Sequence, residues 1–362
     1  MKVLLITTTS NSVINFRSKL IQFLIEKGND VFVISGDDVR REDIEKLGAS
    51  FYLCEANNRS INPFAIVRYK HQLRDAIRNI CPDIVFTFQL KPNFYGTLMS
   101  KRNKVSRVFA MVEGAGDLFA KKGFKWLVLK MLALVKYKAA FKVCEKVFFL
   151  NNDDKREFIE LKLLDANKAV LVNGIGVDLR HFSYKPPVNK HSFLMVARML
   201  ETKGVIDYCE CARRVKQRHP EAVFNYIGSE GDLKIADIKP YIDDGAINYL
   251  GTFKDIRPFM EDCLLFVLPS FYREGLPMSI MEAQSIGRCV LTTNNVGCKE
   301  TVIEGHNGFL VENRDVDALV SRCCYALDHF DDMVRMGLNA RRYAEEKWNC
   351  DTINAKIYDV IS

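Results

Sequence analysis

The stretch Leu264-Leu265-Phe266-Val267-Leu268-Pro269-Ser270-Phe271-Tyr272-Arg273-Glu274-Gly275-Leu276-Pro277-Met278-Ser279-Ile280-Met281-Glu282 decides the fold. Its first five residues are all apolar, as in a strand covered on both faces. Pro269 ends that strand. A polar loop follows, and Pro277 sits where a helix can begin, because the first helical turn has no use for the missing N–H. The pattern predicts a strand over 264–268, a loop at its carboxyl end, and a helix over 277–285. That is one βα unit of a parallel sheet.

The same unit recurs on both sides. Upstream, short apolar strands are predicted at Val3–Thr7, Val31–Ser35, Phe51–Leu53, Ile84–Thr87, Arg107–Val112 and Val147–Leu150. Helical patterns lie between them, over Asn15–Lys27, Phe64–Asn79, after Pro92 and from about Phe124. Asp153 reads as the N-cap of another helix. The alternation breaks at His181–Lys190, where Pro186 and Pro187 mark a linker. It resumes with strands Phe193–Val196, Val223–Ile227, Ile247–Leu250 and Cys289–Thr292, and helices Val205–Arg218 and Ile256–Asp262. The fold class is therefore α/β, with two Rossmann-like doubly wound domains facing a central cleft. An N-terminal domain is expected over 1–180 and a second over 190–345. A terminal helix within 346–362 is expected to pack back on the first. Ligands of such sheets sit outside the carboxyl ends of the strands.

Composition narrows the class. The chain has 362 residues, 48% hydrophobic and 27% charged, which excludes intrinsic disorder. The net charge of +7 is uneven. Residues 1–180 hold 30 Lys and Arg against 19 Asp and Glu, and 181–362 hold 22 against 26. The basic half calls for an anionic partner: a membrane face, a phosphorylated lipid or nucleic acid. The 11 Cys include no C-x-x-C pair, so they read as buried thiols of a cytosolic protein rather than a zinc site or a disulfide framework. Met1–Thr7 is too short for a signal peptide, and no apolar run approaches the length of a membrane span.

The loops of the second half carry the chemistry. The N–H groups of Leu276, Met278 and Ser279 open a helix at a strand end, where a diphosphate is favoured. Glu274 in the loop can meet a sugar hydroxyl, and Glu282, one turn into the helix, a ribose diol. Arg198 and Lys203 follow the first strand of this half and can stabilise a leaving diphosphate. Gly228, after Val223–Ile227, permits close approach of a base or ribose, and Phe253, after Gly251-Thr252, can flank the base. Taken singly, each of these also fits a solvated acid, an exposed loop cation or a plain turn.

As a set they form a family pattern. Arg198 with Lys203-Gly204, Gly228, Leu250-Gly251, Val267-Leu268-Pro269-Ser270, Glu274-Gly275 with Glu282-Ala283, Gly287 and Gly305-His306-Asn307-Gly308 resemble family four of the retaining glycosyltransferases, of GT-B architecture. The resemblance implies that Arg198 and Lys203 bind the donor diphosphate, that Glu274 contacts the donor sugar, and that Glu282 contacts the ribose. It implies a UDP-sugar as substrate and no metal or other cofactor.

The first half departs from the family. Thr7-Thr8-Thr9-Ser10-Asn11-Ser12 lacks the usual glycine pair, and Glu113 stands about where many relatives carry a His. Asn15-Phe16-Arg17, Arg59-Ser60-Ile61-Asn62-Pro63-Phe64 and Val112-Glu113-Gly114 are similar to a bacterial subgroup that extends undecaprenyl-diphosphate-linked sugars. That subgroup includes the N-acetylgalactosaminyltransferase of the Campylobacter protein-glycosylation pathway. The resemblance implies Glu113, Arg198, Lys203 and Glu274 as the catalytic set. It implies Arg17, Arg59 and Lys91 as contacts to the acceptor's lipid diphosphate. Glu113 is then the polar group that orients or deprotonates the acceptor hydroxyl.

Phe119–Lys146 holds eight Lys and Glu145 as its single acid, interleaved with aromatic and aliphatic residues. This predicts a basic amphipathic helix that seats the protein peripherally on the inner face of a cytoplasmic membrane. A core helix with a solvated basic face gives a similar pattern. Two rival functions share the fold: a nucleotide-sugar 2-epimerase and a non-catalytic binding protein. No cluster of acids suits the proton abstraction of the first, and no nucleic-acid module supports the second as a nucleic-acid binder.

Overall fold

The computed structural model describes residues 1–55, 62–114, 116 and 123–362. Two units are present: Met1–Ile175 with Cys350–Ser362, and Gly176–Asn349.

In the first unit seven parallel strands are ordered β3-β2-β1-β4-β5-β6-β7. They are β1 (Lys2–Ile6), β2 (Asp30–Ser35), β3 (Ser50–Leu53), β4 (Ile84–Phe88), β5 (Arg107–Val112), β6 (Lys146–Phe149) and β7 (Ala169–Leu171). Alternate residues of β1 serve opposite faces. Leu4 and Ile6 join one core, Val3 and Leu5 the other, which is why these strands read as unbroken apolar runs. The first core takes in α3 (Pro63–Ile80), α4 (Thr97–Arg102), α5 (Phe124–Val143) and α6 (Asn152–Glu160). The second takes in α1 (Ser10–Glu26) and α2 (Arg41–Lys46). It also holds Ile353, Ile357 and Ile361 of the terminal helix Cys350–Ile361. That helix meets α1 edge-on through Phe23 and Tyr358, 5.9 Å between ring centroids, and Arg107 of β5 donates to the carbonyl of Ile361 at 2.8 Å.

Local chemistry corrects several boundaries. Helix α1 starts five residues before the expected Asn15, because Thr9 caps it by accepting the Ser12 N–H at 3.3 Å. The cap of α6 is Asn151 and not Asp153: its side chain accepts the Asp154 N–H at 2.7 Å. Pro92–Gly96 forms a π-helical turn that runs straight into α4. Helix α5 buries Ala133, Tyr137, Ala140 and Phe141, yet it also exposes Phe124, Leu127, Val128, Met131, Leu132 and Val135. Its solvent side is therefore apolar as well as basic.

The second unit holds a six-stranded parallel sheet, ordered β10-β9-β8-β11-β12-β13. The strands are β8 (Ser192–Val196), β9 (Val223–Ile227), β10 (Asn248–Gly251), β11 (Leu265–Leu268), β12 (Cys289–Thr293) and β13 (Gly308–Val311). One continuous core surrounds it. Its helices are α7 (Val205–Lys216), α8 (Ile235–Asp243), α9 (Arg257–Asp262), α10 (Met278–Ile286), α11 (Val316–Asp328) and α12 (Phe330–Lys347); the terminal helix Cys350–Ile361 is α13. The expected linker, His181–Lys190, belongs to this unit. Lys185 donates its N–H to the Ile286 carbonyl at 3.0 Å, and the buried Arg288 donates to the Lys185 carbonyl at 2.7 Å. The change of unit falls instead between Ile175 and Gly176.

Candidate active site

In the second unit the strand order reverses between β8 and β11, the place outside the carboxyl ends of such sheets where ligands sit, and the loops leaving those two strands build the site. Two backbone bonds lock the loops together. The Phe271 and Tyr272 N–H groups both donate to the Thr202 carbonyl, at 2.9 and 2.8 Å. The approach is close enough to require glycine. A Cβ on Gly204, which has φ +75°, would lie 2.1 Å from the Pro269 carbonyl oxygen.

This zipper brings the predicted cation and acid together. Lys203 donates its ammonium to Glu274 Oε1, and the Ser270 hydroxyl donates to the same oxygen at 3.0 Å. Both charged side chains are largely withdrawn from solvent, with 19% and 11% of their area exposed. Tyr272 lies beneath the ammonium, 5.6 Å from ring centroid to nitrogen. Behind Glu274, Gly297 leaves no room for a side chain: a Cβ there would sit 2.6 Å from the Glu274 carbonyl oxygen.

Helix α10 begins at Met278 beside this pair. The N–H groups of Met278 and Ser279 precede its first internal bond and are available to an anion. Leu276 itself is buried, packed with Met281 and Trp348. Glu282 lies one turn into α10 and is half-buried. Burial pushes its carboxyl up to about 7, and among the described residues it has no hydrogen-bond or ion-pair partner. Arg198 is exposed on the β8 loop, its guanidinium likewise unpaired among the described residues. Gly228 packs on that loop: its N–H donates to the Gly251 carbonyl at 2.8 Å, and a Cβ would sit 1.8 Å from the Ala197 carbonyl oxygen. Phe253 is 46% exposed and rests on Phe259 with centroids 4.4 Å apart.

The first unit has its own cluster where its order reverses, between β1 and β4. Arg17 is buried and forms an ion pair with Glu113, which follows β5. The guanidinium lies 4.3 Å from the Phe88 ring centroid and donates to the Phe16 carbonyl at 2.9 Å. Burial lowers it to about 9. Arg17, expected at a lipid diphosphate, holds Glu113 within this unit. Lys91 is half-buried, and burial together with the neighbouring Lys136 holds its ammonium below the usual range. Lys136 donates to the Tyr95 hydroxyl at 3.1 Å. Arg59, Lys121 and Lys122 lie outside the described residues.

A family model described as "Glycosyl transferases group 1" matches residues 190–329, and one described as "Glycosyl transferase 4-like" matches residues 2–149. The chain belongs to the glycosyl transferases. Among curated relatives of this glycosyl transferase is the N,N'-diacetylbacillosaminyl-diphospho-undecaprenol alpha-1,3-N-acetylgalactosaminyltransferase of Campylobacter jejuni. It is 27% identical over 365 residues, covering 97% of this chain and 95% of the relative. A UDP-Gal:alpha-D-GlcNAc-diphosphoundecaprenol alpha-1,3-galactosyltransferase of Escherichia coli is 29% identical over 66% of this chain and 65% of its own. The fold matches that of Anabaena HepE, solved in complex with UDP, with a TM-score of 0.81 at 16% identity over 99% of both chains. The architecture is GT-B: two parallel, doubly wound sheets.

Two residues of these clusters escape sequence reasoning. Ser270 belongs to the quoted pattern, but only the folded loop shows its hydroxyl on Glu274. Gln89, after β4, carries no motif signal; its left-handed backbone, φ +70°, and its bonds to Thr8 appear only in three dimensions. Among the described residues no group of three or more His, Cys, Asp or Glu is arranged to hold a metal ion.

Proposed function

We propose that this protein is a retaining glycosyltransferase that moves a sugar from a UDP-sugar to an undecaprenyl-diphosphate-linked saccharide during assembly of a bacterial surface glycan. N-acetylgalactosamine is the favoured sugar, with other hexoses and N-acetylhexosamines as alternatives. The observation that carries the reading is the Lys203–Glu274 pair at the sheet's switch point, with Ser270 fixing the carboxylate.

On this reading the donor diphosphate takes Lys203, Arg198 and the first N–H groups of α10. Their positive charge is in place before the sugar–phosphate bond breaks, so no reorganisation is needed as negative charge develops on the leaving group. Glu274, relieved of Lys203, accepts a donor-sugar hydroxyl, and Glu282 accepts from the ribose. Phe253 and Gly228 flank the nucleoside. Retention needs no protein nucleophile: the acceptor attacks on the face from which the diphosphate departs, and the diphosphate takes its proton. Glu113 orients the acceptor hydroxyl. Arg17 acts as a positioning residue behind it, while Lys91 and Arg59 face the lipid diphosphate. No metal enters this scheme. The acceptor class follows the Campylobacter jejuni relative, whose likeness spans 97% of the chain.

We further propose peripheral seating on the inner face of the cytoplasmic membrane through 119–146. Phe124, Leu127, Val128, Met131, Leu132 and Val135 recur at helical spacing on the exposed side of α5, an apolar stripe of the kind that marks a contact surface. Lys138 and Lys142 are exposed beside it, each contributing about 1 kcal/mol near an anionic surface. No helix among the described residues is long and apolar enough to cross a membrane.

The deciding experiment incubates the protein with a panel of UDP-sugars and a synthetic polyprenyl-diphosphate-linked sugar, identifying products by mass and NMR. Transfer with retained anomeric configuration supports the reading. An altered nucleotide sugar released without acceptor would establish the epimerase instead.

A further inference from the structure

Gln89 follows β4 directly, beside β1, where the strand order of the first unit reverses. Its backbone is left-handed at φ +70°, a conformation that non-glycine residues hold only when their surroundings impose it. Gln89 is tied down at both ends: its carbonyl accepts the Asn93 N–H at 3.0 Å, and its side chain meets Thr8. Gln89 Oε1 accepts the Thr8 N–H at 2.9 Å and the Thr8 hydroxyl at 2.5 Å.

These two bonds settle the orientation of the amide. A backbone N–H can only donate, so the atom facing it is the oxygen, and the NH₂ group points away from Thr8. Among the described residues that NH₂ has no acceptor, although the side chain is half-buried. A Gln strained in backbone, fixed in rotation and left with two unspent donors is built to meet something other than its own chain.

What it meets follows from its neighbours. Phe88 pairs with Met111 across β4 and β5, so Gln89, one residue beyond that pair, and Glu113, two beyond it, stand on the loops that leave adjacent strands. Phe88 also carries the Arg17 guanidinium that holds Glu113. Glu113 offers an acceptor and Gln89 offers donors. One hydroxyl of a sugar diol donates to the carboxylate while its neighbour accepts from the amide. A phosphate would suit the amide and be repelled by the carboxylate, so the pair fits a neutral sugar.

We propose that Gln89 is an acceptor-binding residue, held by Thr8 so that its amide donates to a hydroxyl adjacent to the one oriented by Glu113. It sets which acceptor sugars are used. This inference rests on the transferase reading given above.

The test compares wild type with Gln89→Glu, which keeps an oxygen for Thr8 and removes the donors. Gln89→Asn is the second variant, because Asn tolerates the left-handed backbone while being too short to bridge from Thr8. Each is assayed for acceptor KM, for UDP-sugar KM, and with acceptors deoxygenated at each hydroxyl in turn. Both variants should raise acceptor KM about tenfold or more and leave donor KM within about twofold, with melting temperature controlled for each. One deoxy acceptor should penalise wild type about tenfold and Gln89→Glu hardly at all. An active wild type, with variants that keep its acceptor KM or show the deoxy penalty unchanged, overturns this inference alone. A wild type that transfers no sugar overturns the proposed function and this inference together.

Discussion

Lys203 donates to Glu274 across 71 positions of sequence, and both residues stand on loops that leave neighbouring strands. Cation and acid are thus paired before any diphosphate arrives. A bound donor exchanges that bond for two others, Lys203 to phosphate and Glu274 to sugar, so the site stays electrically balanced when empty. Lys203→Ala should cut turnover at least about a hundredfold, the loss expected for one transition-state charge contact. Glu274→Gln keeps the Ser270 hydroxyl bond and should fold normally while losing at least about tenfold in kcat/KM. Steady-state kinetics with circular dichroism as a folding control checks both.

Glu282 gives a pH signature. Folding holds its carboxyl near 7, above the ordinary 4.5. Between those values the folded state binds more protons than the unfolded one, so stability falls as pH rises. The contribution is fully present below about 4.5 and lost once pH passes about 7. Donor binding runs the other way, because the ribose diol needs the carboxylate: KM for the UDP-sugar should improve from pH 6 to pH 8. Glu282→Gln should flatten the donor profile and raise KM, and should flatten this part of the stability profile. An unchanged KM profile in the variant would remove Glu282 from the donor site.

Much of this was legible, for physical reasons that differ by element. β11 and β1 read correctly because both faces are buried, leaving unbroken apolar runs. Lys203 and Glu274 stood out in the sequence only as members of a family pattern, because singly each also fits a surface charge; that they pair with each other appears only in the fold. β7 and β13 were missed, being three and four residues long at the two sheet edges. Helix α8 was hidden by Pro240 inside it. The start of α1 was missed because Ser10, Asn11 and Ser12 look like loop until Thr9 is seen to cap them. Arg17 was expected at the acceptor's lipid diphosphate, and arginine is rarely buried; only packing against Phe88 reveals its burial.

That burial makes Arg17 a stability residue as well. Removing one partner of a buried ion pair typically costs about 3–5 kcal/mol, because the other charge is left uncompensated. Arg17→Met should lower the unfolding free energy by less than that, because Glu113 keeps 21% of its side chain in solvent, and should reduce kcat by releasing Glu113. Glu113→Gln retains a hydrogen-bond acceptor for Arg17 and should cost less stability than Arg17→Met while still lowering kcat. Chemical denaturation of both variants, alongside turnover, separates the structural part from the catalytic part.

The exposed stripe of α5 makes a claim about location. Replacing Leu127 and Met131 by Ser removes two side chains whose burial is worth about 1.5–3 kcal/mol each. Partitioning onto anionic liposomes should drop at least about tenfold, with little change in melting temperature because neither side chain packs in the core. Lys138→Glu with Lys142→Glu should weaken binding further and reduce its salt dependence. Unaltered sedimentation in all variants would leave the stripe without a membrane role.

The loop zipper can be tested at one glycine against another. Gly204 and Gly245 both have left-handed backbones, φ +75° and +73°. At Gly245 an added Cβ meets nothing within 4 Å, whereas at Gly204 it would stand 2.1 Å from the Pro269 carbonyl oxygen. Gly245→Ala should therefore cost only the conformational penalty, about 1–2 kcal/mol, and leave catalysis unchanged. Gly204→Ala carries the same penalty plus a collision that pushes the β8 loop away from the β11 loop, taking Lys203 from Glu274. Its turnover should fall to the level of Lys203→Ala. Combining it with Lys203→Ala should then add little, because both changes remove the same contact. Measuring kcat for the two single variants and the double, with unfolding curves for each glycine variant, distinguishes a misplaced lysine from a merely weakened fold.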